Sequence, residues 1–156
     1  MMGKRGKKDF HEGVDVYRSI FEMASDAIFI LDSEGNFLEV NRAAHERLGY
    51  TREEMLSMNV ADIDPPEFAA RVPERMKSIM EKGQAFFESA HRRRDGTVMP
   101  VEINSRAFPL DGEEIVFSII RDITRRKAAE EKIRESEKKF RVLFETASFF
   151  TISRER

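Results

Sequence analysis

Two pairs of closely spaced carboxylates are the residues of this chain whose type and spacing suit acid–base chemistry. Glu53 and Glu54 are adjacent, and Asp62 and Asp64 are two residues apart. Paired carboxylates can act as general acid and general base when their environments separate their pKa values. Both pairs also have a structural interpretation, because acidic residues favour the first turn of a helix and aspartate before proline favours a turn. We favour the structural interpretation for both.

The remaining reactive side chains supply no complete catalytic or metal-binding pattern. The three histidines, His11, His45 and His91, are far apart, and none forms a chelating motif with nearby carboxylates. Cysteine is absent, which removes thiolate ligands, thiol nucleophiles and disulfides. Neither a Gly-rich phosphate loop nor a nucleophile with its base is found. We therefore predict no enzymatic activity and no metal site for this segment.

The composition limits the class of protein and its partners. The chain has 156 residues, of which 40% are hydrophobic and 36% charged, and its formal net charge is −2. This charge gives no general reason to expect nucleic acid. The sequence has no apolar stretch of the roughly 20 residues that cross a bilayer, and its basic opening lacks the apolar centre of a signal peptide. These features predict a cytoplasmic protein without membrane insertion.

Five segments carry the apolar content and flanking turns of strands. Asp95-Gly96 and Asp111-Gly112 are suitable hairpin turns between the last three. In the fourth segment Met99, Val101, Ile103, Ser105 and Ala107 alternate with more polar residues, which indicates a strand with one buried face. The segments cover residues 27–31, 37–40, 85–92, 98–108 and 114–123. The pattern predicts an α+β fold, with a five-stranded antiparallel sheet and helices packed on one face.

The helices predicted to cover the sheet are marked by their caps. Asn41 is an N-cap for a helix that ends at Gly49, and Thr51 with Glu54 matches a capping box. Pro73 lies inside a longer apolar stripe and predicts a late start or a kink there. The predicted helices cover residues 14–24, 42–48, 51–58 and 68–82.

Two features of the C-terminal part suggest a second module. Residues 125–139 are charged helix formers whose small and apolar positions repeat at alternating four- and three-residue spacing. This pattern fits either a short coiled coil or a solvated connecting helix, and both remain open. Residues 17–30, YRSIFEMASDAIFI, then recur as residues 140–153, FRVLFETASFFTIS. The recurrence predicts the severed start of a second copy of the first module.

Three quoted segments resemble the PAS domain of the S-box type with its C-terminal PAC segment, as found in bacterial and archaeal signalling proteins. They are DAIFILDSEGNFLEVNRAAHERLGYTREEML, HRRRDGTVMPVEI and FSIIRDITRRKAAEEKIRES. The resemblance covers residues 15–127, and the family implies the same strand and helix order, a sensory role and tandem arrays. The predicted division is an unstructured leader at 1–13, a PAS/PAC sensor domain at 14–124, a linker helix at 125–139 and a truncated PAS domain at 140–156.

The resemblance also indicates whether this chain could bind flavin or haem. The light-sensing flavin branch uses a cysteine that attacks the flavin, an arginine that binds its phosphate and a glutamine that hydrogen-bonds its ring. Val60, Ala61 and Ile120 stand at these positions here. The replacements exclude covalent flavin photochemistry and argue against flavin binding. Haem-binding members take an axial histidine from the long helix, and residues 67–82 contain none. His45 is the remaining histidine able to face the pocket. We therefore predict no cofactor and a colourless protein.

Two hypotheses for the function follow, and both can hold at once. The first is a sensor of a small apolar ligand within a multi-domain protein such as a sensor histidine kinase or diguanylate cyclase. The ligand would lie between helices and sheet, although the same residues could simply fill a core. The predicted lining comprises Phe29, Leu31, Val40, Val60, Ile63, Met76, Ile79, Phe87 and Ile120.

The second hypothesis is a ligandless dimerisation and relay module. A homodimer would form through the N-terminal helix and the exposed face of the sheet, which would set both exit helices side by side. The predicted interface comprises Val14, Tyr17, Ile20, Phe21, Phe117 and Ile119.

Two local contacts are also predicted. The signal would leave through Asp122, Ile123 and Thr124, with Thr124 as the N-cap of the charged helix. An ion pair would join Glu53 or Glu54 to Arg94 or one of its neighbours, Arg92 and Arg93.

Overall fold

Five antiparallel strands form one sheet in the structure, a computed structural model that describes residues 5–154. The strands are β1 (Ala27–Asp32), β2 (Phe37–Val40), β3 (Gln84–Arg92), β4 (Val98–Leu110) and β5 (Glu113–Asp122). Their order across the sheet is β2-β1-β5-β4-β3, so the first and last strands of the sequence, β1 and β5, pair inside the sheet, and β2 and β3 form its edges. The predicted five-stranded antiparallel sheet is confirmed, and each strand differs from its predicted bounds by two residues at most.

The alternation of apolar and polar residues in β4 correctly predicts which face of the sheet is buried. Met99, Val101, Ile103 and Ser105 are buried, whereas Asn104 between two of them is exposed. The helices between β2 and β3 pack on this face, since their buried side chains belong to the same apolar core as those of the strands. These helices are α2 (Arg42–Leu48), α3 (Arg52–Leu56), a 3₁₀ turn (Val60–Asp62), α4 (Pro66–Ala69) and α5 (Val72–Lys82).

The caps predicted for α2 and α3 are found at the predicted residues. Thr51 and Glu54 form a capping box at the start of α3, which ends at Leu56, two residues earlier than predicted. The long apolar stripe is divided into α4 and α5, and Pro73 lies in the first turn of α5. Proline is tolerated there because the first turn of a helix leaves its backbone N–H groups without intrahelical acceptors.

The prediction of an unstructured leader at residues 1–13 is wrong for residues 5–13. The N-terminal helix α1 covers Arg5–Met23, well before the predicted start at residue 14. Residues 5–13 include four good helix formers, and each of their two glycines, Gly6 and Gly13, costs a helix only about 1 kcal/mol relative to alanine. Residues 1–4 lie outside the described part of the chain.

Asn41 joins the end of α1 to the core. Its side chain is fully buried, and Oδ1 accepts hydrogen bonds from the backbone N–H groups of Ile28 and Ala44 at 2.9 and 3.1 Å. Its Nδ2 donates to the carbonyl oxygens of Phe21 and Asp26, each at 3.0 Å. One side chain therefore caps α2, holds the start of β1 and satisfies a carbonyl at the end of α1.

A separate unit contains the C-terminal helix α6, Thr124–Arg154. The predicted linker at 125–139 and the described part of the predicted second copy lie in one continuous helix of 31 residues. The residues that match the start of β1, at 150–153, are helical here. In the first copy β1 is held between β2 and β5, and the described residues of the second copy supply no such strands. None of the helices within residues 5–154 has the length and apolar character needed to cross a membrane.

Candidate functional site

A small internal cavity lies between α5 and the inner face of the sheet. Its volume is about 30 Å³, whereas a water molecule needs about 10–15 Å³ measured in this way. The cavity therefore has room for about two or three non-hydrogen atoms. Its lining residues are Phe29, Leu31, Val60, Asp64, Arg75, Met76, Ile79, Phe87, His91, Ile103, Ser105, Ser118 and Ile120.

Seven of the nine predicted lining residues surround this cavity, and two do not. Val40 and Ile63 are fully buried but belong to the core outside it. Val40 lies on β2, the edge strand, where it is paired with Phe29, and the cavity begins on the β1 side of that pair. Ligand binding by the seven remains a prediction.

The polar part of the lining is not predicted from the sequence. Asp64 is predicted to be a turn residue, and Arg75 and His91 have no predicted role in the pocket, yet all three line the cavity. The Asp64 side chain is 1% exposed and the His91 side chain 4% exposed. His91 could have been found from the two-residue period of β3, because it follows Phe87 by four residues and so lies on the same face. Ser105 had already been placed on the buried face of β4.

The carboxylate of Asp64 is held on one side only. Arg75 Nη1 donates to Asp64 Oδ2 at 3.2 Å, and Arg75 Nη2 donates to the carbonyl oxygen of Phe68 at 3.1 Å. Asp64 Oδ1 is buried without a hydrogen-bond partner, and His91 Nε2 lies 3.8 Å from it, beyond hydrogen-bond distance. The His91 ring stacks on Phe29 with centroids 5.7 Å apart. One acceptor atom of a residue that lines the cavity is therefore buried and unpaired.

Arg75 and Phe87 also border a groove on the outer surface. The Arg75 guanidinium lies 5.2 Å from the centroid of the Phe87 ring, within cation–π distance. Both side chains line the groove between α5 and β3 as well as the inner cavity. The two spaces are therefore separated at this point by one arginine and one aromatic ring.

Burial sets the charge of the two titratable groups in the cavity. Desolvation raises the pKa of Asp64 to about 6, and the nearby charge of Arg75 limits the rise. Desolvation lowers the pKa of His91 to about 3, helped by the positive charges of Arg75 and Arg47. At pH 7.5 Asp64 is thus ionised and His91 is neutral. His45, the histidine that the sequence left able to face the pocket, does not line the cavity; its Nδ1 lies 3.3 Å from the carbonyl oxygen of Tyr50, and the cavity histidine is His91.

Replacing His91 by phenylalanine is expected to reduce the loss of stability in acid. As the pH falls below about 6.5, the unfolded chain binds a proton at this histidine that the folded chain does not, so stability is lost. Between pH 7.5 and 5 this effect should cost the wild type about 2 kcal/mol. Asp64 acts in the opposite sense, because its raised pKa favours the folded state as pH falls, and it is retained in the variant.

Urea unfolding at the two pH values measures this difference. His91→Phe should keep the stack on Phe29 while losing the histidine-dependent part of the pH effect. The matched substitution His45→Phe, outside the cavity, should keep the wild-type dependence. Equal pH dependence of all three proteins would show that His91 takes up its proton in the folded state.

The predicted ion pair between the late hairpin and the inner helices is present at Arg94 and Glu54. Arg94 Nη1 lies 2.9 Å from Glu54 Oε2, and the two side chains are 59% and 41% exposed. The Arg94 guanidinium also lies over the Tyr50 ring, and its backbone N–H donates to the carbonyl oxygen of Leu48. Glu53 is not the partner in this pair. The contact ties the turn between β3 and β4 to the ends of α2 and α3.

Glu54→Gln is expected to lower the free energy of unfolding by at most about 1 kcal/mol, because the pair is exposed and screened by salt. Glutamine retains the capping box, so the change isolates the charge. Glu53→Gln is the matched control and should have a smaller effect. Chemical denaturation at low and high salt gives both values, and a larger loss that persists in high salt would contradict a screened pair.

The proposed exit of the signal lies where the last strand meets the C-terminal helix. β5 ends at Asp122 and α6 begins at Thr124, so Ile123 alone connects them. Thr124 is the first residue of the helix. An N-cap residue precedes the first helical residue, so the N-cap position of α6 is Ile123 and not Thr124 as predicted. Signal relay through these three residues remains a prediction.

The fold and the cavity can now be compared with known proteins. The sequence model of the PAS domain family matches residues 25–125. The crystal structure of the PAS domain of an HTR-like protein from Haloarcula marismortui has a TM-score of 0.71 at 32% identity, over 77% of this chain and 99% of that one. A domain of a sensory box sensor histidine kinase/response regulator from Geobacter sulfurreducens has a TM-score of 0.64 at 30% identity, over 72% and 96%. This chain belongs to the PAS domain family.

Two relatives are much longer proteins. The methyl sulfide methyltransferase-associated sensor of Methanosarcina acetivorans is 38% identical over 120 residues, which are 76% of this chain and 12% of that protein. Sporulation kinase E of Bacillus subtilis is 23% identical over 141 residues, 90% of this chain and 19% of the kinase. The chain thus spans less than a fifth of the length of these two relatives, a sensor and a kinase by name.

Proposed function

We propose that this chain is the sensory PAS module of a longer signalling protein, such as a sensor histidine kinase or diguanylate cyclase, and that it detects a small ligand. The observation that carries the proposal is the internal cavity with a buried, unpaired carboxylate oxygen at Asp64. Such an atom is costly in a folded protein unless something pairs with it. The module itself has no catalytic role and biases an output domain.

The proposed ligand is not a flavin or a haem. Pockets for drug-sized ligands and cofactors are about 300–1,000 Å³, whereas this cavity measures about 30 Å³. Val60, at the position of the flavin-reactive cysteine, contributes an aliphatic wall to the cavity. The apolar ligand expected from the sequence must also be revised, since Asp64, Arg75 and His91 give the cavity a polar side.

Mass spectrometry of the purified chain under non-denaturing conditions tests the sensing proposal. A retained small molecule, in a protein without visible absorption, supports it. Release of only solvent from every preparation, together with no saturable binding of any small molecule, would contradict it. An absorption band near the haem or flavin region that survives gel filtration would contradict the absence of a cofactor.

A ligandless dimerisation module is the second candidate, and one observation favours it. Tyr17 and Ile20 on α1 are 75% and 62% exposed, and Val14 and Ile119 are exposed as well. Phe21 and Phe117 of the predicted interface are partly buried within the chain and contribute less. Exposed apolar side chains on one helix suit a two-fold interface. A clean apo dimer in the same mass spectra would support this candidate.

Relay through the C-terminal helix requires a separate experiment. Residues 1–139 are fused to a kinase whose activity reports helix orientation, and Asp122→Ala is compared with the wild type at matched expression. Loss of regulation with an unchanged thermal transition supports relay through the β5–α6 junction. Unchanged regulation would mean that the signal leaves by another route, such as α1.

A further inference from the structure

Two polar atoms of residues that line the cavity are too far apart for a direct hydrogen bond and near enough for one oxygen atom to bridge them. Asp64 Oδ1 and His91 Nε2 are 3.8 Å apart, and both side chains are more than nine-tenths buried. An oxygen atom placed about 2.8 Å from each would hydrogen-bond to both. With the one N–H of neutral His91 on Nε2, this oxygen would donate to the carboxylate and accept from the imidazole N–H. A hydroxyl group satisfies both conditions.

The charges around the gap favour a neutral group. Asp64 is already paired with Arg75, so a second cation would gain little from the carboxylate and would be repelled by the guanidinium. The positive charges of Arg75 and Arg47 also oppose protonation of His91 itself. An anion would instead meet the unpaired oxygen of Asp64. A neutral hydrogen-bond donor avoids both penalties.

The rest of the lining fits a short apolar stem. Phe29, Met76 and Ile79 border the same space, which holds about two or three non-hydrogen atoms. We propose that the cavity binds a short-chain alcohol, whose hydroxyl bridges Asp64 Oδ1 and His91 Nε2 and whose carbon atoms contact these three residues. This assignment rests on the proposed function, in which the cavity is the sensing site.

Ethanol, acetonitrile and ethylammonium chloride are the probes that test the assignment. They have the same number of non-hydrogen atoms, but acetonitrile cannot donate a hydrogen bond and ethylammonium is charged. Each is titrated into the ¹⁵N-labelled full chain and followed by NMR at backbone amides and histidine ring nitrogens. Ethanol should saturate with a dissociation constant of about 1 mM or weaker, the limit for a ligand of three such atoms. The other two should bind at least about tenfold more weakly, which corresponds to one lost hydrogen bond.

Histidine variants assign the binding to the cavity. His91→Phe should weaken ethanol binding about tenfold, and His45→Phe should leave it unchanged. The ring nitrogens of His91 should shift in the wild type, which tests the contact even if the variant folds poorly. Linear, unsaturable shifts, or equal affinity for ethanol and acetonitrile, would overturn the alcohol assignment. If another small molecule saturates the cavity instead, the assignment fails while the sensing function stands.

Discussion

Arg75→Met is expected to lower the free energy of unfolding by about 3–5 kcal/mol at pH 7.5, the usual cost of removing one partner from a buried ion pair. The change leaves the Asp64 carboxylate buried without a cation and with one oxygen already unpaired. At pH 5 the loss should be smaller. The pKa of Asp64, raised by burial to about 6 beside Arg75, should rise further without it, so the folded variant holds a neutral carboxyl group.

Urea unfolding at both pH values measures the effect, and two variants control for it. Arg71→Met removes an exposed arginine just before α5 and should cost little. Asp64→Asn in the Arg75→Met background should recover part of the lost stability, since it removes the unpaired charge. A loss below about 1 kcal/mol that does not depend on pH would mean that water reaches Asp64 and that the cavity is more open than the structure shows.

Asn41→Ala is expected to lower the free energy of unfolding by about 3 kcal/mol. Four hydrogen bonds are lost, and their backbone partners lie in or near the core, where an unpaired donor or acceptor costs about 1–3 kcal/mol. Because one of these partners is the carbonyl oxygen of Phe21, the end of α1 should also detach more readily.

Thermal or urea unfolding gives the stability, and hydrogen exchange at the amides of α1 gives the local effect. Asn104→Ala on the exposed face of β4 is the matched control and should change stability by less than about 1 kcal/mol. Faster exchange in α1 only for Asn41→Ala is the expected result. If both variants lose equally little, solvent replaces the Asn41 hydrogen bonds and the residue does not join α1 to the core.

The fold could be predicted because its signals are local. The Asp-Gly turns, the capping box at Thr51 and the alternation from Met99 to Ser105 each depend on residues close in sequence. These local signals predicted the five strands, the buried face of β4 and the helices that cover the sheet. The start of α1 could not be predicted because residues 5–13 are basic and polar, include two glycines and carry no apolar stripe at helical spacing.

The polar side of the cavity could not be predicted because its parts are distant in sequence. Asp64 before two prolines reads as a turn residue, and its burial depends on α5 and β3, which pack over it later in the chain. Ser105 and Ser118 share a hydrogen bond at 2.7 Å only because the β4–β5 register places them opposite each other. The apolar lining residues were easier to predict, because the periodicity of a helix or strand indicates its buried face. Seven of the nine predicted residues line the cavity.

The position of Arg75 has a consequence for the time scale of the proposed ligand sensing. Its side chain and the Phe87 ring stand between the outer groove and the inner cavity, so a molecule that takes this route must first part the guanidinium from Asp64 or from the ring. The rates of filling and emptying then depend on how often this contact opens, and not on diffusion to the surface. Phe87 would then affect timing alone, whereas Asp64 would contribute to both recognition and timing. Substitutions at Phe87 could alter the residence time of a bound molecule while Asp64 and His91 keep the same selectivity.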